Sequence, residues 1–241
     1  MLRLEDVRLD LPEKENLING VSLNVRPGML TVITGPNGGG KTSLAKLIAG
    51  LYIPTSGRIF LDDENITRMS ITERARKGIA YAFQQPVSFK GITVRKLMQL
   101  SAGDSMSEIS MCRTLEKVGL CAREYMDREM DSKLSGGEMK RIEIATVLAR
   151  RSSYIIFDEP EAGIDLWSFS NLIDSFRELK KNEERGLLII SHQERILEIA
   201  DEIVVISEGL VSEQGTKDAV FPKLLGNSAK GSYCPKGKEM F

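Results

Sequence analysis

Eight consecutive residues, Gly35-Pro36-Asn37-Gly38-Gly39-Gly40-Lys41-Thr42, follow the pattern G-x-x-x-x-G-K-T. Glycines at these positions let successive backbone N–H groups converge on phosphate oxygens with no Cβ in the way. Lys41 brings a mobile positive charge for the β- and γ-phosphates, Thr42 a hydroxyl for a Mg²⁺ ion bridging them, and Ser43 a donor for the α-phosphate. Binding alone is not hydrolysis. Tyr154-Ile155-Ile156-Phe157-Asp158-Glu159 ends an apolar run in two adjacent carboxylates, which point to opposite faces of a strand. Asp158 is expected in the Mg²⁺ shell, and Glu159 is expected to polarise an attacking water. His192, the single histidine, follows the apolar run Leu187–Ile190 and is expected to contact the γ-phosphate. Gln84, after Gly78–Phe83, is expected to sense Mg²⁺ and water from another strand end.

These groups need a scaffold that gathers strand ends along one edge. Met29–Thr34 is nearly continuous apolar sequence, as in a strand covered on both faces, and a helical pattern runs from Thr42 to about Leu51. Tyr154–Phe157, Leu187–Ile190 and Glu202–Ser207 repeat the strand pattern. Between the first two, Leu172, Ile173, Phe176 and Leu179 have helical spacing. Strands alternating with helices predict a parallel α/β sheet. The first 25 residues instead alternate, with Leu2, Leu4, Val7, Leu9, Val21, Leu23 and Val25 on one face, which predicts an antiparallel β subdomain. From about residue 87 no convincing strand appears; helical patterns lie around Val94–Ser101 and Ser107–Gly119, and this reads as an insert over about 87–140. Seven of the ten methionines fall between Met69 and Met139, which suits either an adaptable docking face or the interior of the insert. The reading is one α/β domain over 1–225 and a loose, Gly-, Lys- and Ser-rich tail over 226–241.

The 33 basic residues against 34 acidic ones give a net charge of −1, so nothing in the charge points to nucleic acid. No apolar run reaches the roughly 20 residues of a membrane span, and a cytoplasmic location is expected. Cys112, Cys121 and Cys234 have no metal-site spacing and are expected to be reduced thiols.

A second glycine pair stands a hundred residues beyond the first. Leu134-Ser135-Gly136-Gly137-Glu138 precedes a long helical pattern, and free N–H groups at a helix start favour anions. With Gln84, Ala162-Gly163-Ile164-Asp165 and His192, the motifs over about residues 1–215 resemble, in order and spacing, those of an ATP-binding-cassette (ABC) ATPase. The resemblance implies an ATP- and Mg²⁺-dependent ATPase with a parallel P-loop core sheet, an N-terminal antiparallel β subdomain and a helical insert. It implies a head-to-tail dimer in which Ser135, Gly136 and Gly137 of one protomer close over the γ-phosphate held by the other. Asp165 then belongs with the nucleotide site, and Val7 and Leu9 supply an apolar adenine contact.

Within the family, Phe83-Gln84-Gln85-Pro86-Val87, the stretch Gly136–Glu143 (GGEMKRIE) and His192–Leu197 (HQERIL) resemble the Suf iron–sulfur cluster assembly ATPase. That likeness implies a soluble Fe–S scaffold as partner, gripped through about Gln85–Leu100. The alternative is the ATP-binding subunit of a membrane transporter, partnered by a permease. A third reading, a regulatory ABC module, ordinarily requires two cassettes in one chain.

Overall fold

The computed structural model describes residues 1–103, 106–131 and 133–229. The chain begins β1 (Leu2–Leu11), β2 (Lys14–Val25), β3 (Leu30–Thr34), α1 (Lys41–Ala49), β4 (Ser56–Leu61), β5 (Glu64–Asn65), α2 (Ile71–Arg76) and β6 (Ile79–Ala82). It continues β7 (Phe89–Thr93), α3 (Val94–Ala102), α4 (Glu108–Lys117), α5 (Ala122–Tyr125), β8 (Glu129–Met130) and α6 (Gly136–Ala149). The last third is β9 (Tyr154–Asp158), α7 (Leu166–Lys180), β10 (Gly186–Ile190), α8 (Glu194–Ile199), β11 (Glu202–Ser207), β12 (Leu210–Thr216) and α9 (Lys217–Ala229).

The central sheet has the order β12-β11-β3-β10-β9-β6. Its strands are parallel except β12, which pairs antiparallel to β11 at the edge. Every residue of β3, β9 and β10 is buried because both faces are covered. Leu30, Val32, Ile155, Phe157, Leu187 and Ile189 pack on the side of α6, α7 and α8, whereas Ile33, Ile156, Leu188 and Ile190 pack towards α1 and the antiparallel strands. Period two survives in which layer each residue meets, not in its polarity.

The antiparallel sheet, β2-β1-β4-β5, keeps the polar–apolar alternation apart from register shifts in β1 and β2. Buried positions on β1 step from Leu4 to Val7 because the register shifts there, and Asp6 takes a φ of 44°. The extra residue is a bulge, which resets the buried face. α1 starts one residue before the predicted position and ends earlier, at Ala49, where Gly50 turns left-handed at φ 84°. Its last carbonyls are also closed from outside. Arg74 on α2, fully buried, donates to Leu47 O at 2.6 Å, Ile48 O at 2.9 Å, Thr67 O at 2.9 Å and Met69 O at 3.1 Å.

Two expectations for the insert change. β7 and β8 form a small antiparallel pair where no strand was expected. β7 is mostly exposed and interrupted by Gly91, so neither alternation nor β-propensity marks it. Met98, Met111, Met126 and Met130 are 0–3% exposed, so these methionines fill the interior instead of presenting a docking face. The helices around Val94–Ser101 and Ser107–Gly119 are α3 and α4, started by side-chain caps from Thr93 and Ser107. Helix α9 runs through Ala229, past the expected start of a loose tail at 226; residues 230–241, Cys234 among them, lie outside the described residues. Cys112 and Cys121 are free thiols. No helix among the described residues is long and apolar enough to cross a membrane.

Candidate functional site

The loop from Gly35 to Gly40 connects β3 to α1 at the C-terminal edge of the central sheet. Two of its glycines are obligatory for steric reasons. A Cβ on Gly35, at φ 129°, would lie 2.1 Å from Ile206 O, and one on Gly40, at φ 106°, would lie 2.7 Å from Leu17 O. The loop is therefore pressed against the ends of β11 and β2. Gly209, in the turn after β11, braces it by donating its N–H to Gly39 O at 3.0 Å. The cradle retains room on its open side. The cavity beside it, about 340 Å³, is bordered by Leu17, Gly38, Lys41, Thr42, Gln84 and Glu159.

Lys41 donates to Gly35 O at 2.7 Å and Pro36 O at 2.9 Å. Partial burial lowers its pKa, opposed by the charges of Glu159 and Asp158. Thr42 Oγ1 donates to Asp158 Oδ1 at 3.1 Å, and Tyr81 OH donates to Oδ2 at 2.9 Å. Asp158 is fully buried, and desolvation raises its pKa against the pull of these two hydroxyls. A hydroxyl and a buried carboxylate meeting at one point form a hard-oxygen pair suited to Mg²⁺ completed by phosphate and water. The glycine cradle, the lysine and this pair together fit a Mg²⁺-bound nucleoside triphosphate.

Glu159 turns away from Asp158 through a left-handed φ of 46°, with its N–H donated to Ile190 O at 3.0 Å. Its Oε2 accepts from Gln84 Nε2 at 2.6 Å, so the two residues expected to handle water touch in this structure. His192 is exposed just beyond β10. Its pKa is lowered by partial burial first and by the Lys41 charge second, while Glu159 pulls the other way. Both charges are therefore near enough to act on the imidazole.

Ser135, Gly136, Gly137 and Asp165 do not border the cavity beside the Gly35–Thr42 loop. Ser135 caps α6 in a reciprocal box: its Oγ accepts from Glu138 N at 3.2 Å, and Glu138 Oε2 accepts from Ser135 N at 2.7 Å. The cap takes the Glu138 N–H, which leaves those of Gly136 and Gly137 as the first-turn donors at this helix end. A hydrogen bond from Tyr125 and the Ser135 N–H hold the Glu138 carboxyl down to about 2. Gly137 is packed so closely that a Cβ would lie 2.4 Å from Gly163 O. Asp165 caps α7, its Oδ1 accepting from Trp167 N at 3.1 Å and Ser168 N at 3.0 Å; Trp167 beside it is 82% exposed. Val7 and Leu9, expected against adenine, are instead 0% and 2% exposed inside the antiparallel layer, and Leu17 is the apolar residue at the cavity.

Three residues given no site role from the sequence join the site. Tyr81 reaches Asp158 because β6 lies beside β9 in parallel register. Lys140, fully buried on α6, donates to Phe83 O and lies 3.3 Å from Gln84 O and 3.5 Å from Asp158 O. Glu143, one turn along, accepts the Phe83 N–H at 2.8 Å. The last two lie in the Gly136–Glu143 stretch, where their signal is charge at helix positions that should be apolar.

Residues 18–162 match the sequence profile of the ABC transporter family, which is more than half of the chain. An ABC transporter ATP-binding protein of Methanocaldococcus jannaschii is 37% identical over 223 residues, 89% of this chain and 88% of that protein. The chain belongs to the ABC transporter family. As an ABC ATPase it binds ATP with Mg²⁺ and hydrolyses it. A sulfate/thiosulfate import ATP-binding protein of Brucella melitensis is 32% identical over 86% of this chain, which spans only 58% of that relative's length. In the solved dimeric structure of a post-hydrolysis ATP-binding cassette bound to ADP and Pi, one chain superposes with a TM-score of 0.79 over 90% of this chain and 99% of that one. At 22% identity this likeness speaks to the fold. The parallel core sheet with its antiparallel layer is the ABC ATPase fold.

Proposed function

We propose that this chain is the ATP-hydrolysing subunit of a membrane ABC transporter, working at the cytoplasmic face as a head-to-tail dimer. The relative at 37% identity, named as an ABC transporter ATP-binding protein and matched over nearly its whole length, carries this reading. The sulfate/thiosulfate import protein supports it further. The Fe–S scaffold expected from the Suf resemblance has no counterpart in those names, so the permease becomes the first candidate partner.

Within the dimer, Lys41 leaves the Gly35 and Pro36 carbonyls to meet the terminal phosphates, joined by the N–H groups of Gly38–Thr42. Thr42, Asp158 and Gln84 would hold Mg²⁺, which when bound would supply positive charge to offset that on the phosphate oxygens. Glu159 polarises the water, and His192, neutral and next to Lys41, donates to the γ-phosphate. Ser135, Gly136 and Gly137 of the second protomer close the site with outward donors at a helix N-terminus, while Asp165 holds α7 in place behind that seam. Neither protomer completes the pocket alone, which accounts for two anion-binding elements in one chain.

The test of the site is Glu159→Gln. Removing a general base is expected to cost about 10²–10⁴-fold in turnover, with ATP binding retained and the protein shifted to a dimer in size-exclusion chromatography. Hydrolysis at the wild-type rate would refute the assignment.

A second reading keeps the Suf-type scaffold, favoured by one observation: Lys140 and Glu143, from the stretch that carries that likeness, are engaged with Phe83 and Gln84. Affinity purification from the native cell separates the two. An integral membrane companion supports the transporter, and a soluble Fe–S scaffold supports the other.

A further inference from the structure

Lys140 is an unusual occupant of its position. Its side chain is 1% exposed, on a helix face that packs against the central sheet, and burying an ammonium is costly unless it is paired and hydrogen-bonded. A methionine would fill similar volume at no such cost, and buried ion pairs often give nothing to stability over an apolar replacement. The contacts explain its presence differently. Lys140 and Glu143, at i and i+3 on α6, grip one peptide segment from both sides. Lys140 takes the carbonyls of Phe83 and Gln84, at 3.3 Å for the latter, while Glu143 Oε1 takes the Phe83 N–H at 2.8 Å. Glu143 Oε2 lies 3.5 Å from the Lys140 ammonium and balances its charge. The same ammonium is 3.5 Å from the carbonyl of Asp158. The gripped segment ends at Gln84, whose side chain donates to Glu159 at 2.6 Å. Ser135 caps this same helix, little more than one turn before Lys140.

We propose that Lys140 and Glu143 are positioning residues that fix the Gln84 backbone relative to α6, so that engagement of Ser135 at its N-terminus is read out at the Gln84–Glu159 contact. The inference rests on the roles given above to Gln84 and Glu159. Directional hydrogen bonds to both sides of one peptide have few alternative arrangements, whereas an apolar contact lets the segment slide; the pair therefore serves register, not stability. Movement of α6 by a fraction of an ångström carries the Phe83 and Gln84 carbonyls with it and withdraws the amide from Glu159. Neither residue borders the cavity beside the glycine loop, so both act through Gln84.

A double-mutant cycle on the full chain tests this. Lys140→Met is expected to lower kcat about tenfold or more, the worth of one hydrogen bond to a charged group, with KM for ATP near wild type. Adding it to Gln84→Ala should slow turnover no further than Gln84→Ala alone. The paired variant Lys140→Met/Glu143→Leu leaves no lone buried charge and keeps a near-wild-type melting temperature, yet loses kcat equally. Rate losses that multiply in the Gln84/Lys140 cycle would overturn the proposal, as would wild-type turnover by the paired variant. Failure of the underlying site reading shows separately, as unimpaired hydrolysis by Glu159→Gln.

Discussion

Replacing Arg74 by methionine removes four backbone hydrogen bonds while keeping a side chain of similar reach. The guanidinium is 0% exposed, and burial pulls its pKa down to about 10, so it remains charged at neutral pH. Its acceptors are Leu47 O at 2.6 Å, Ile48 O and Thr67 O at 2.9 Å, and Met69 O at 3.1 Å. Leu47 O keeps a second donor, Gly50 N–H at 3.2 Å, which leaves three carbonyls without this partner. An orphaned buried acceptor costs about 1–3 kcal/mol, so the gross penalty is about 3–9 kcal/mol. Several kcal/mol return because a charge no longer has to be desolvated. A net loss of about 3 kcal/mol remains, and at about 2–4 °C per kcal/mol for a chain of this size the midpoint falls by about 6–12 °C. Scanning calorimetry of the nucleotide-free protein measures it. Because Leu47 and Ile48, two of the four acceptors, lie in the last turn of the helix whose first residues are Lys41 and Thr42, saturating ATP should raise the midpoint of variant and wild type together but not close the gap. A variant melting within about 2 °C of wild type would refute the claim that this cation closes the end of α1.

Other perturbations separate steric from electrostatic causes. Gly35→Ala drives a Cβ to within 2.1 Å of Ile206 O and should abolish ATP binding by calorimetric titration, whereas a Cβ on Gly38 meets no atom within 4 Å. Gly38→Ala should therefore cost only the left-handed strain of about 1–2 kcal/mol; equal losses in both would refute the steric account. Glu138 has its pKa depressed from the ordinary 4.5 to about 2. Its contribution is present above pH 4.5 and is lost as pH falls towards 2, so the stability of Glu138→Gln should decline less steeply than wild type across that window. Parallel acid limbs in denaturant titrations would contradict that assignment.

What the sequence disclosed depended on whether a feature was local. Gly35–Thr42, Asp158 with Glu159, and the doubly covered strands are contiguous patterns set by backbone geometry and burial; the strands form as expected, with the loop after β3 and the carboxylates at the end of β9. Tyr81 on Asp158, and Lys140 on Phe83, are pairs 77 and 57 residues apart, brought together by strand order and helix packing that no window of sequence contains. Ser135-x-x-Glu138 was legible as a capping box, but the serine and two glycines drew attention to the anion-binding face of the same turn. Val7 and Leu9 misled because apolar side chains near a strand end serve a core as readily as a purine. Their alternation with a bulge between Leu4 and Val7 was the signal that they face inward.

Trp167 gives the chain an intrinsic optical handle. It is the sole tryptophan, and its indole stands in water one residue past Leu166, the first residue of α7. Indole emission from the native protein therefore originates at a single known spot, next to the Asp165 cap, with no second fluorophore of its kind to subtract. Its wavelength monitors the dryness of that corner of the molecule continuously, without any dye attached.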